Sequence, residues 1–303
     1  PHQGFVIGGE FERGWRRDRG KAVNSLERDR GRALQLFEQA RTLSINDANT
    51  AAVSNLLSTY GQALLTGTGQ LDAWRLQALT DLTTLPDLED GYYRGGRQSP
   101  GAPVDVDGNP VLHRIPQSFE AADSDGERWR WLLTEAARLN PSRRQSLKLD
   151  YARFLHQQFG VQTMAQFSWW QARNEKVNDD QDSSGRYEVH TLSDQETITK
   201  LATGVKRFTL PNDHNFITLF RDVADADRGS AARQAREALC SIYENRRQYP
   251  QAADEWRTLI ARHGDTSNRR QRLQQIVGNW GRFEASETQQ SGRGAVVDYR
   301  FRN

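Results

Sequence analysis

What most constrains this chain is an apolar pattern of helical period that recurs along it, broken by short polar or glycine-containing stretches. From about Glu27 to Leu43, the residues Ala33, Leu34, Leu36, Phe37, Ala40 and Leu43 fall on one helical face. Asp47 is placed to cap a second helix, in which Val53, Leu56, Leu57, Tyr60, Leu64 and Leu65 share a face. After the break at Gly67, Thr68 and Gly69, the spacing of Leu71, Trp74, Leu76, Leu79 and Leu82 predicts a third. Helix, short break, helix is the pattern of stacked α-hairpins. It resumes at Ser124, with Trp129, Leu132, Leu133, Ala136, Ala137 and Leu139. It continues from Pro141 with Leu147, Leu149, Tyr151, Phe154, Leu155 and Phe159. Residues 161–172 add Phe167, Trp169 and Trp170, and further helices are expected near 194–204, 213–224 and 230–246.

Three stretches depart from that pattern. Residues 1–27 read as an extended arm. Its basic residues Arg13, Arg16, Arg17, Arg19 and Lys21 are interrupted by Glu10, Glu12 and Asp18, so they form a solvated face rather than a phosphate site. FVIGG, from Phe5 to Gly9, resembles the mature start of trypsin-like proteases, but no GDSGG or catalytic histidine motif follows. Residues 84–118 are punctuated by proline and glycine and read as a loop. A β-hairpin is expected from Val104 to His113, turning at Asp107 and Gly108. Residues Gly294 to Phe301 (GAVVDYRF) read as a strand that continues into a β-domain or pairs with a neighbouring molecule. The chain starts at Pro1, which either a removed leader or a trimmed terminus explains.

The 303 residues have room for one large domain or two ordinary ones. Basic and acidic residues nearly balance, 41 against 39, which gives no footprint for nucleic-acid binding. No stretch approaches the roughly 20 apolar residues of a membrane-spanning helix. A single Cys rules out an internal disulfide and a cysteine-built zinc site.

Catalytic motifs do not emerge. The six His include no HExxH pair, and there is no GxSxG, P-loop or dinucleotide fingerprint. Cys240 lies on an amphipathic helix and reads as a small core residue. One cation-binding set can be drawn. Asp180, Asp182, Ser184, Gly185 and Glu188 occupy positions one, three, five, six and nine of a calcium-loop template. Position twelve is Thr191 where a bidentate Glu is wanted, so the solvated loop is the favoured reading and no cofactor is expected beyond this calcium candidate. For contact with a protein partner, the candidates are Tyr92, Tyr93, Trp131, Trp169 and Trp170. Trp129 and Trp131, and again Trp169 and Trp170, are too far apart around a helix for both members of a pair to share one buried interface.

The segment from Arg233 to Gly264 carries a resemblance. Leu239, Cys240, Tyr243, Tyr249, Ala252 and Trp256 match the spacing of a tetratricopeptide repeat, two antiparallel helices in about 34 residues. Arg236 replaces its usual first aromatic, and Leu259 its usual alanine. Immediately beyond come QRLQQIVGNWGRFE, from Gln271 to Glu284, and SGRGAVVDYRFRN. With ERDRGRALQLF at Glu27, AWRLQALTDL at Ala73, SDGERWRWLL at Ser124, FLHQQFGVQTMA at Phe154 and ENRRQYPQAA at Glu244, this junction resembles the N-terminal region of large bacterial, planctomycete-type alpha-2-macroglobulin-like proteins. The resemblance implies an exported protein of the periplasm, cell envelope or extracellular space, with a β-domain after residue 303. The family's thioester motif is absent from this segment, and no catalytic residue carries over.

The fold expected is thus mainly α, a tetratricopeptide-like helical-hairpin stack or solenoid with a small β-hairpin and a C-terminal strand opening a β-domain. The divisions are an arm at 1–27, helical pairs at 28–83, the loop at 84–118, a helical repeat region at 119–286 and the strand at 287–303. The function expected is a non-enzymatic protein-interaction scaffold. Its partners would be protein: the chain's own downstream β-domains or neighbouring subunits. The alternative is a self-assembling subunit of a cell-surface or envelope fibre, joined by terminal strand exchange.

Overall fold

In a computed structural model, residues 2–14, 20–65, 73–91, 101–161, 187–266, 268–283 and 299–302 are described. The protein is mainly helical with small β elements. It divides into two compact units: Pro1–Thr163 with Thr197–Leu210, and Met164–Glu196 with Pro211–Asn303.

The first unit opens with strands where an arm is expected. β1 (Gln3–Ile7) pairs antiparallel with β2 (Glu10–Arg13) and with β3 (Lys21–Asn24), and the two-residue β4 (Glu89–Asp90) completes the order β2-β1-β3-β4. The decisive residues are Gly8 and Gly9, at φ 60° and 90°, which make the two-residue turn a hairpin needs. Below the sheet, Asp29 gathers four groups. Its carboxylate accepts from Arg13 Nη1 and Nη2 at 3.0 and 2.6 Å and from Ser25 Oγ at 2.7 Å, and His2 Nδ1 lies at 2.8 Å. The Arg13 guanidinium foremost, with His2 and Ser25, holds this carboxyl well below the usual carboxylate range.

α1 (Leu26–Leu43) and α2 (Thr50–Leu65) follow the apolar period. The α2 cap is Asn49 rather than Asp47: the Asn49 side-chain oxygen Oδ1 accepts from the Ala52 N–H at 3.1 Å, and Asp47 Oδ1 accepts from the Asn49 N–H. α3 (Asp125–Leu139) begins at Ser124, whose hydroxyl accepts from the Glu127 N–H at 3.2 Å. Gly61 of α2 leaves space for the fully buried Trp129, whose ring lies 3.1 Å from where a Cβ would stand. After a 3-10 turn at Pro141–Arg143 comes α4 (Arg144–Phe159).

Two expected helices of this unit are absent. Between 73 and 84 only the 3-10 turn Ala73–Gln77 forms. Beyond it Asp81 accepts from the Thr83 N–H and from both threonine hydroxyls of Thr83 and Thr84, local bonds that compete with a helix. Thr80 instead docks on the buried Asp125, which accepts from its N–H at 3.1 Å. Near 194–204, the structure has β5 (Glu196–Leu201) paired with β6 (Gly204–Thr209). Thr197, Ile198 and Thr199 are β-branched and buried, and both hydroxyls donate to carbonyls at the end of α4. The hairpin expected at 104–113 reduces to a turn and one bridge, Val104 with Pro110. Pro103 and Pro110 have no N–H to extend a ladder.

The second unit holds α5 (Phe216–Ala226), α6 (Ser230–Asn245), α7 (Tyr249–His263) and α8 (Arg269–Val277), each packed on the next. Ala232, Ala235, Leu239 and Cys240 of α6 and Ala252, Ala253 and Leu259 of α7 are buried. β7 (Trp280–Phe283) and β8 (Tyr299–Arg302) pair antiparallel, so the strand expected near the C-terminus forms and lies against Trp280–Phe283.

The chain before α5 is held by side chains of the α6–α7 turn. Arg246, 1% exposed, donates to the Ser193 and Glu196 carbonyls at 3.0 and 2.9 Å and lies 5.7 Å from the centre of the Phe216 ring. Burial pushes its pKa down to about 10. Gln248 Nε2 donates to the Leu192 and His190 carbonyls. Asn215 caps α5 through the Ile217 and Thr218 N–H groups while donating to the Asp194 carbonyl at 2.8 Å.

Two predictions follow from these contacts. Asp29→Asn is expected to destabilise by about 1–2 kcal/mol at neutral pH. Because the folded carboxyl is depressed, its stabilisation is present above about pH 4 and lost as pH falls through the lower folded value. The gap between wild type and variant in urea denaturation therefore narrows below about pH 4. Arg246→Met removes a buried donor from the Ser193 and Glu196 carbonyls and is expected to cost about 1–3 kcal/mol in the same assay.

Candidate functional site

The second unit has a groove of about 620 Å³ formed by α6, α7 and α8. Helical spacing explains its composition. Ser241, Glu244 and Asn245 share one face of α6, and Asn268, Gln271, Arg272 and Gln275 share one face of α8, with Trp256 of α7 between them. Four of these eight carry side-chain amides.

Glu244 is the hinge of the groove's electrostatics. One of its oxygens accepts from the Trp256 indole N–H at 2.6 Å and the other from the Arg272 guanidinium. That bond to Glu244 raises the Arg272 pKa above its ordinary value. Arg272 also donates to Gln275 Oε1 at 2.9 Å. The Ser241 hydroxyl donates to the Glu237 carbonyl of its own helix at 3.2 Å. Cys240 faces the interior, where burial pushes its thiol pKa up. The groove therefore offers hydrogen-bond donors and acceptors in pairs, without a nucleophile held beside a base.

Of the sequence candidates, Trp131 is described and is half-buried. Its ring meets Phe119 edge-on at 5.9 Å, and the Arg41 guanidinium sits 5.7 Å from its centre. Arg41 is itself paired with Glu38 and Glu120, so Trp131 belongs to an aromatic and ionic packing cluster of the first unit. Tyr92, Tyr93, Trp169 and Trp170 lie outside the described residues, as do Asp180, Asp182 and Ser184 of the calcium template. Glu188 is described, in a left-handed conformation at φ 45°. Among the described residues no cluster of three or more His, Cys, Asp or Glu is arranged to hold a metal ion, and no helix is long and apolar enough to cross a membrane.

Compared with protein-family models, with curated proteins and with solved structures, the chain matches none.

The groove residues Asn245, Asn268, Gln271 and Gln275 escape a reading built on apolar period and catalytic motifs. No period marks them: from Asn268 to Gln275 every residue but Leu273 is polar, so the sequence does not single out the face that lines the groove. Glu244→Gln removes the charge that Trp256 and Arg272 share. It is expected to shift the Trp256 indole N–H resonance in an NMR spectrum and to lower stability by about 1–2 kcal/mol.

Proposed function

We propose that this chain is a non-enzymatic protein-interaction scaffold, and that its groove binds an extended peptide segment of a partner. In this reading α5 to α8 form a tetratricopeptide-like stack. The sequential packing of these helices and the small residues buried between α6 and α7 support it. Arg236 takes the place of the repeat's first aromatic as a buried cation, paired with Glu255 at 2.5 Å and with Asp225. The observation that carries the proposal is the amide lining of the groove. A side-chain amide presents the same donor and acceptor as a peptide group, so Asn245, Gln271 and Gln275 can serve the main chain of a bound segment whatever its sequence. Export to the cell envelope and membership of a macroglobulin-like protein remain part of the proposal through the sequence phrases quoted above.

The test is fluorescence anisotropy of the full chain with pools of labelled random peptides of about twelve residues, long enough to cross the groove when extended. Retained pools are expected, and Asn245→Ala with Gln271→Ala should weaken them about ten- to thirtyfold, the equivalent of about two hydrogen bonds. Both side chains are exposed, so the double variant keeps its fold. No retention, or retention indifferent to the double variant, would sink the reading.

A further inference from the structure

In the first unit, α1 is apolar on two sides. Leu34 is fully buried, and Gly31 lies close against Pro86. Ala33, Leu36, Ala40 and Leu43 lie on the opposite side, within about 80° of one another around the helix. Leu36 is 49% exposed and Leu43 87%, while Ala33 is exposed and Ala40 half-buried. Successive spacings of three, four and three residues are those of a coiled-coil seam, a face suited to meeting another helix. Helices apolar on opposite sides are ordinarily covered on both.

Two properties of the seam say what covers it. The first is the order of sizes. It reads alanine, leucine, alanine, leucine, and is centred on position 38. A second copy laid antiparallel sets Leu43 against Ala33 and Leu36 against Ala40, so every large side chain meets a small one. A parallel copy in register sets leucine on leucine and alanine on alanine, which crowds two layers and leaves two open.

The second property is charge. The acids of α1 are used within the unit, Glu27 by Arg75, Asp29 by Arg13 and Glu38 by Arg41. Arg28 and Arg32, near its N-terminal end, are exposed. They donate to the Pro86 carbonyl and to Gln35 Oε1, and neither has a carboxylate partner among the described residues. Asp47, just past the C-terminal end, is exposed and in no ion pair among the described residues. An antiparallel copy brings both arginines to the negative end of the partner helix and toward its Asp47. A parallel copy would set arginine beside arginine.

We propose that two copies of this chain pair through α1, antiparallel about a two-fold axis near residue 38, with Leu36 and Leu43 of each seated on Ala40 and Ala33 of the other. The seam is its own complement, as a two-fold interface requires. It uses no residue of the groove, so it stands whether or not the groove binds peptide. One helix of about 27 Å buries less than a standard interface, so the pair is a weak one.

Sedimentation equilibrium of the full chain tests the pairing, and cross-linking tests its direction. A monomer–dimer equilibrium with a Kd of about 10–300 µM is expected. Leu36→Lys with Leu43→Lys should weaken it at least about tenfold. Both positions are exposed and lie toward the helix C-terminus, where cations are favoured, so the monomer keeps its fold; an unchanged circular dichroism spectrum checks this. For direction, Ala33→Cys and Leu43→Cys chains are mixed and oxidised in air with copper phenanthroline. The native Cys240 is buried and stays out of the reaction. The mixed disulfide is expected, whereas Ala33→Cys alone should not cross-link, since its two copies would stand about 15 Å apart along the axis. The proposal is overturned if the chain is monomeric up to about 500 µM, if the double lysine variant dimerises as wild type, or if each cysteine variant pairs with itself in preference to the other.

Discussion

A guanidinium buried without a carboxylate partner organises the second unit. Among the described residues Arg246 has no ion pair to repay its burial. It is held by backbone carbonyls of Ser193 and Glu196 and by the face of Phe216. Its neighbours complete the attachment: Gln248 takes the carbonyls of His190 and Leu192, and Asn215 takes that of Asp194. Five carbonyls between residues 190 and 196 thus depend on three side chains. With them in place, the Asp194 carboxylate is brought to Arg221 and Tyr243, and Asn215 is oriented to cap α5. The start of the helical stack is thus fixed by how these carbonyls are satisfied.

The long helices were legible because burial on one face imposes a period that survives in the sequence. α1, α3, α5 and α6 lie close to their expected spans, and α3 starts at its expected Ser124. The failures have separate causes. The first strands hide behind Gly8 and Gly9, which an extended-arm reading treats as loosening when their positive φ makes a hairpin. Thr197-Ile198-Thr199 is too short and too fully buried to show alternation, so only its β-branching separates strand from helix. Trp74 to Leu82 shows the converse: apolar residues at helical spacing do not make an α-helix where Asp81 and its threonines form local hydrogen bonds, and Leu79 is left exposed.

The groove does not announce itself in this way. Half of its lining is amide, which carries no hydrophobic period and matches no catalytic signature. Trp131 packs on Phe119 and beside Arg41 and stays half-buried, an environment that its spacing from Trp129 does not reveal.

The hydrogen bonds from the α6–α7 turn to the chain before α5 span long stretches of sequence, 53 residues from Arg246 to Ser193 and 58 from Gln248 to His190. Synthesis proceeds from the N-terminus, so these carbonyls leave the ribosome well before their donors exist. Until the α6–α7 turn emerges, the His190, Leu192 and Glu196 carbonyls lack the side-chain donors that hold them in the folded unit. Non-local closure of this kind is slow relative to helix formation. The helices can therefore form as they appear, but the second unit acquires its final order in a late, single closing event.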